Sequence, residues 1–401
     1  MNKSICVVVT TDFWNDRRVF KQVSSLLKFG YSVTVICSQR PEDSIYESDS
    51  NLLIDDNSGN LEVRSVKLTR RDSVNNKLLD KVVNFIWLFS GMMKFVFEIN
   101  KVKCDLYHLH DIDALFLGGV VAKFKKKKII FDCHDIFSMI QVKDSVHYKL
   151  RSLWGFLERK LPKYSDSVIT VASRLKSDLS FRSHVLPENI NYIYNTPLLH
   201  DLSYSNKIRE EHNISSSTCI VLYLGSVNLD RGLGDLINSC MHWNDDIVLA
   251  VYGVGHEKAW KKLELLVSEL NLTDKVVFGS SVQPSKVKEY LMSSDILTIP
   301  NILHSPAYDA LPNKFFESIM AGKPFVCNEL PEMSSKVRAI NCGLVCDRND
   351  PHSYAHAINK LACNPSLRGE LGANGRRAAV EAYNWETEEA KLKLIYEGLL
   401  E

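Results

Sequence analysis

The 401-residue chain has ten cysteines but no C-x-x-C pair and no regular cysteine spacing. Most lie in apolar runs, as Cys6, Cys37 and Cys219 do, where free cysteine packs as a small hydrophobe. A disulfide framework is excluded, and a reduced, cytoplasmic protein is expected. An excess of charge of one sign is missing as well: 49 Lys and Arg face 48 Asp and Glu, a net charge of +1. That balance gives no global pull toward nucleic acid. Long apolar runs are also absent. The most membrane-like stretch, VVNFIWLFSGMMKFVFEI at 82–99, is charge-free for only about a dozen residues, and a spanning helix needs roughly 20. The N-terminus passes from an apolar strand into charge, with no leader-like core or cleavage site.

What is present is a soluble composition, 45% hydrophobic and 24% charged, over a length that suits two domains. Apolar, β-branched runs alternate with amphipathic stretches: ICVVVT (5–10), YSVTVIC (31–37), DLYHLH (105–110), KIIFDCH (128–134), DSVITV (166–171) and INYIYN (190–195). The polar stretch 196–217 interrupts this pattern, which resumes with CIVLYLGS (219–226), DIVLAVYG (246–253), KVVFGS (275–280), DILTIP (295–300), PFVCN (324–328) and GLVCD (343–347). Continuous apolar strands separated by helices predict parallel sheets covered on both faces. The expectation is an α/β protein of two doubly wound, Rossmann-like domains: 1–199, 200–383, and a final helix 384–401 that crosses back toward the first. Ligands of such sheets bind beyond the carboxyl ends of strands.

Three loops of the second half fit an anionic ligand. In DALPNKFFESIMAGKPFV (309–326), Asn313 is placed to cap a short helix, Lys314 lies on its first turn, and Asp309 and Glu317 flank the start. Free N–H groups there favour an anion, and carboxylates nearby suit sugar hydroxyls. On spacing alone, Glu317 could equally serve only the helix dipole. In LYLGSVNLDRGLGDLI, Gly225 permits close backbone approach and Arg231 sits at a helix start, where a cation opposes the dipole. Arg231 therefore reads as a diphosphate clamp. Gly253-x-Gly255 is half of a dinucleotide fingerprint, or a tight turn.

These motifs resemble glycosyltransferase family four, the retaining, nucleotide-sugar-dependent enzymes of GT-B fold. The resemblance covers nearly the whole chain. It rests on LPNKFFESIMAGKPFV, YLGSVNLDRGLGDLI, VYGVG, SSDILTIP and YNWE, and in the first half on NDRRVFKQVSSLLKFGYSVTVI, DLYHLHDIDAL and IIFDCHDIF. It implies that Asp309 and Glu317 stand for the family's paired acids, with Asp309 one methylene shorter than the usual Glu. Glu317 would then hold the donor ribose and Asp309 would touch the transferred sugar. Ser226 occupies the position of one of the family's two usual cations, leaving Arg231 and Lys314. By the same resemblance His110 and Asp111 lie near the reacting carbon, with His134 and Asp135 on the acceptor side. Arg17 and Arg18 stand where the family more often has glycine; they suit either an anionic acceptor or a solvated helix start.

The expected function is transfer of a sugar from a nucleoside-diphosphate sugar to a glycan, in bacterial surface polysaccharide synthesis. The mechanism so implied lets the departing phosphate oxygen take the acceptor's proton, in a cleft that closes on the donor. A nucleotide-sugar epimerase of the same fold, or a non-catalytic nucleotide- or glycan-binding partner, are the alternatives. No cofactor is expected beyond the co-substrate. No metal is expected either: Asp113 of the D-I-D at 111–113 can cap a helix, and Cys133, His134 and Asp135 are sequential rather than at zinc-ligand spacing. KFKKKK at 123–128 and the 82–99 stretch fit either peripheral contact with an anionic membrane, toward a lipid-linked acceptor, or a solvated loop and a core helix.

Overall fold

The computed structural model describes residues 3–39, 60–67, 77–139, 150–301 and 311–401. The chain divides into two compact units, one of Met1–Tyr194 with Glu389–Glu401 and one of Asn195–Glu388. This corrects the expected limits. Residues after 195 pack with the second unit, where Arg376 donates to the His200 carbonyl and the Leu199 N–H reaches Glu386. The last helix, Trp385–Leu400, is shared between the units, its final turns grouping with the first.

The first unit holds a seven-stranded sheet of order β3-β2-β1-β4-β5-β6-β7. The strands are β1 (Ser4–Val8), β2 (Ser32–Ser38), β3 (Leu61–Val66), β4 (Leu106–His110), β5 (Lys128–Cys133), β6 (Ser167–Thr170) and β7 (Ile190–Tyr192). All pairs are parallel, as buried β-branched runs require. The helices used below are α1 (Arg17–Lys28), α2 (Lys77–Lys101), α3 (Asp111–Phe124) and α4 (Arg151–Lys160). Asp16 caps α1, accepting from the N–H groups of Arg18 and Val19.

The second unit repeats the design with six parallel strands of order β10-β9-β8-β11-β12-β13. These are β8 (Cys219–Leu224), β9 (Ile247–Tyr252), β10 (Val276–Phe278), β11 (Ile296–Ile299), β12 (Phe325–Asn328) and β13 (Gly343–Cys346). The central strands of both sheets are almost wholly buried. In each sheet the order reverses beside the first strand, so the carboxyl ends of β1 and β4, and of β8 and β11, border a switch point.

Candidate functional site

In the first unit the register sets His110 of β4 beside Asp132 of β5. The two-residue period of a strand puts His108 on the same face as His110, and their rings stack at 4.3 Å. Asp132 is the hub of this face. Arg18 of α1 grips it at two points, Nε to Oδ2 at 3.1 Å and Nη2 to Oδ1 at 2.9 Å, and Gln22 Nε2 donates to Oδ2 at 2.7 Å. The third guanidinium nitrogen donates to the Ile193 carbonyl at 2.7 Å. A fully buried carboxylate is tolerable only when paired in this way. Burial works against its charge, yet Arg18 and His134 hold Asp132 well below the usual carboxylate range. Arg18 is thus neither an acceptor-binding group nor a solvated one: it is 3% exposed and occupied by Asp132, while Arg17 beside it is exposed.

His134 lies between two acids, Nδ1 3.5 Å from Asp111 and Nε2 3.7 Å from Asp132, and its Nε2 is 3.1 Å from His110 Nδ1. Burial disfavours its charge, but Asp111 and Asp132 outweigh that and push its pKa up to about 9. His108 falls to about 4 through burial, and His110 falls well below the usual range through burial and the adjacent His108. One imidazolium therefore serves the cluster. Burial raises Asp111 to about 7, although the N–H groups of His134 and Asp135 donate to it at 2.9 and 3.3 Å. Asp111 adopts φ +66°, where α3 starts directly off β4; this conformation costs a non-glycine residue about 1–3 kcal/mol. Asp113 points elsewhere, accepting from Thr10 Oγ1 at 2.5 Å and from the Ala114 N–H. The two acids of D-I-D thus serve different partners, and Asp135 is exposed.

Sequence reasoning missed Asp132 as the hub, and with it His108, Gln22 and Tyr396. Tyr396 of the last helix bonds His108 Nδ1 at 2.6 Å, leaving the His108 Nε2 edge toward Asp132, 3.8 Å away. The alternation H-L-H along β4 was the available signal for His108. His108, His110 and Asp132 also place three potential metal-ligand atoms within 4.8 Å of one another. Because both Asp132 oxygens already accept from Arg18, a cation there would meet the guanidinium, and the trio fits an ion-pair network rather than a metal centre.

In the second unit, β8 and β9 end in loops that touch. Gly225 donates its N–H to the Tyr252 carbonyl at 3.0 Å. A Cβ on Gly253, at φ +155°, would fall 1.6 Å from the Gly225 oxygen, and a Cβ on Gly225, at φ +152°, would fall 2.5 Å from Lys314 Cε. Gly253 therefore lets the two loops approach, and Gly225 makes room for the lysine. Lys314 lies on the first turn of the Asn313–Met320 helix. Its Nζ sits 3.5 Å over the centre of the Tyr223 ring. That nitrogen is buried without a hydrogen-bond partner among the described residues. Burial, and then the charge of Arg231, lower Lys314 to about 7, with Glu317 pulling the other way.

The helix start differs from expectation by one residue. Pro312, not Asn313, is the cap; among the described residues no side chain caps the helix, and Asn313 is its exposed first residue. Arg231 ends the short turn Leu229–Arg231, just before Gly232. Ser226 is exposed; its carbonyl accepts from Tyr223 Oη at 2.5 Å and its Oγ from Asn228 at 2.9 Å. The structure thus brings Gly225, Lys314, Arg231 and Glu317 into one electrostatic neighbourhood. Asp309 lies outside the described residues.

Comparison with known proteins adds to this geometry. Residues 205–378 match the model described as glycosyl transferases group 1, and residues 16–196 match glycosyltransferase family 4. A D-inositol 3-phosphate glycosyltransferase of Xylanimonas cellulosilytica is 23% identical over 54% of this chain and 51% of its own length. An MMP alpha-(1->4)-mannosyltransferase of Mycolicibacterium hassiacum is 22% identical over 62% and 58%. The chain thus spans between half and three-fifths of the length of these two relatives. Among solved structures, sucrose-phosphate synthase of Thermosynechococcus elongatus covers 99% of both chains with a TM-score of 0.79 at 17% identity. HepE of Anabaena, in complex with UDP and glucose, covers 99% of this chain and 100% of its own with a TM-score of 0.75 at 14% identity.

Proposed function

Because this chain belongs to glycosyltransferase family four and has its GT-B fold, we propose that it transfers a sugar from a nucleoside-diphosphate sugar to a glycan with retention at the anomeric carbon. The observation that carries this reading is the Lys314 ammonium, buried without a hydrogen-bond partner among the described residues, beside Arg231 and an uncapped helix start. Such a group is costly unless an anion completes it. A diphosphate does so, and HepE, of the same fold, holds UDP. In this reading Lys314, Arg231 and the helix N–H groups bind the diphosphate, while Glu317 accepts from the ribose hydroxyls. Asp309 contacts the transferred sugar, His110 and Asp111 are the first unit's catalytic residues, and His134 and Asp135 are its acceptor-side residues.

The step needs little base. The bond from the sugar carbon to the phosphate oxygen breaks and the bond to the acceptor oxygen forms. The acceptor's proton passes to the departing diphosphate, whose charge Arg231 and Lys314 stabilise. Arg231→Ala should then lower turnover more than ground-state donor binding. No metal takes part in this proposal, because the cations already supply that stabilisation. The acceptor is a glycan of bacterial surface polysaccharide synthesis, lipid-linked and reached by peripheral contact with an anionic membrane.

The test is a melting-temperature panel with UDP, GDP, ADP and CMP, followed by transfer assays in excess EDTA with and without added magnesium. The matching nucleotide at 100 times its Kd should stabilise by about 2.7 kcal/mol. No stabilisation by any of them would overturn the donor site, and magnesium-dependent activity would overturn the metal-free mechanism. Free nucleotide released with an epimerised sugar would replace transfer with epimerisation.

A further inference from the structure

The helix α3 has no polar face. Between Ile112 and Phe124 its only charged residues are Asp113 and Lys123. One side, with Ile112, Leu115 and Val121, is buried on the sheet. The opposite side presents Phe116, Val120 and Phe124, at i, i+4 and i+8, exposed by 37%, 68% and 86%. A helix that is apolar all round belongs in a core or at a lipid surface. The neighbouring helix α2, which packs on α3, repeats the pattern: Phe89, Met93 and Phe97 share one face and are exposed by 56%, 50% and 61%. On its other flank α3 packs on α4, whose Leu153 and Phe156 are about half exposed. Three adjacent helices thus offer apolar side chains to water, well beyond the scattered single residues that an ordinary surface carries.

Among the described residues a basic cluster lies at one end of this face. Lys125 Nζ bonds the carbonyls of Asn100 and Val102, so the carboxyl ends of α2 and α3 meet. Lys123, Lys126 and Lys128 are exposed there. Nearby acids are taken up locally: Glu98 by Lys101, Asp105 by Lys127 and Asp166 by Lys128. We propose that the outer face of α2 and α3 is the docking surface for an anionic lipid bilayer. The phenylalanines enter the interface, and Lys123 and Lys126 meet lipid phosphates. This rests on the membrane contact proposed above and names the surface that makes it. A bilayer suits these features better than a second copy of the chain, because lipid phosphates complement the lysine end, whereas a second copy would offer the same lysines in place of an anionic partner.

The test is flotation of the full chain with phosphatidylcholine vesicles, with and without phosphatidylglycerol, at low and high salt. Binding should require phosphatidylglycerol and weaken with salt. Reversal of Lys123 or Lys126 to Glu should cost at least about fivefold each at low salt. Val120→Glu with Phe124→Glu should abolish binding at either salt, while both sets of variants keep the melting shift given by the matching nucleotide. No binding at low salt, equal binding to pure phosphatidylcholine, or binding indifferent to Phe124→Glu would each overturn the proposal. So would self-association in sedimentation that Phe124→Glu removes, since it would assign the face to a second copy. Vesicle binding with no nucleotide response in the wild type would sink the donor site and leave this surface standing.

Discussion

The two units share an architecture and gather charged groups toward the carboxyl ends of strands, but they treat charge in opposite ways. In the first, Asp132 is buried and matched: Arg18, Gln22 and three histidines surround it. In the second, Lys314 is buried over an aromatic ring and left without a hydrogen-bond partner among the described residues, with Arg231 adding like charge. Gln22 Oε1 and the Nε2 atoms of His108 and His110 have no hydrogen-bond partner among the described residues. The buried charge of Asp132 is nevertheless matched and so fixes geometry, whereas a buried cation without such a match is completed by its ligand. In the proposed function this contrast corresponds to positioning by the first unit and anion binding by the second.

Breaking the matched side should produce the largest effect. Arg18→Ala leaves Asp132 buried without its two-point partner, expected to cost about 3–5 kcal/mol in urea unfolding. Replacing both partners, with Arg18→Met and Asp132→Leu, should recover most of that loss. If Arg18→Ala is as stable as the wild type, the pair does not organise the unit.

The unmatched side should lose binding instead of stability. Glu317→Ala should weaken the donor nucleotide by about ten- to 150-fold, because a charge-assisted hydrogen bond contributes roughly 1.5–3 kcal/mol. Calorimetry on the folded variant would show it, and unchanged affinity would remove Glu317 from the ribose.

The pH dependence of binding sharpens the contrast further. With Lys314 at about 7 in the free protein, a bound diphosphate favours its charged form and raises that value. Below pH 7 the lysine is charged both free and bound, and its contribution is flat. Above pH 7 binding must take up a proton, so affinity falls by up to about tenfold per pH unit until the bound-state pKa is reached. Lys314→Arg should remove this slope. The smallest effect is expected from Tyr396→Phe, which deletes one bond to His108 and should cost about 1 kcal/mol of stability.

Much of this was visible in the chain. Buried parallel strands announce themselves as apolar runs, and the break between Glu381 and Trp385 appeared where Tyr383-Asn384 suggested it. The edge strand β3, LEVRSV, was missed because charges interleave its half-exposed residues. Gly225, Arg231 and Lys314 could be named because each sits in a loop or first turn whose local pattern is informative, and Glu317 because it follows just beyond that first turn. The Arg18–Asp132 pair could not, since its partners stand 114 residues apart and only the fold joins them. Tyr396 and His108, 288 residues apart, were hidden for the same reason. The cap moved from Asn313 to Pro312 because the chain entering the helix remains extended through the proline, at ψ 150°.

The central claim is that the second unit's cations hold a diphosphate. Its most direct test compares the affinity of the matching nucleoside diphosphate with that of its nucleoside, in the wild type and in a Lys314→Ala/Arg231→Ala variant. With two charge-assisted contacts at roughly 1.5–3 kcal/mol each, the diphosphate should bind at least about a hundredfold more tightly in the wild type. The account predicts that this advantage collapses in the double variant while nucleoside binding is unchanged. An advantage that survives the loss of both cations would contradict it.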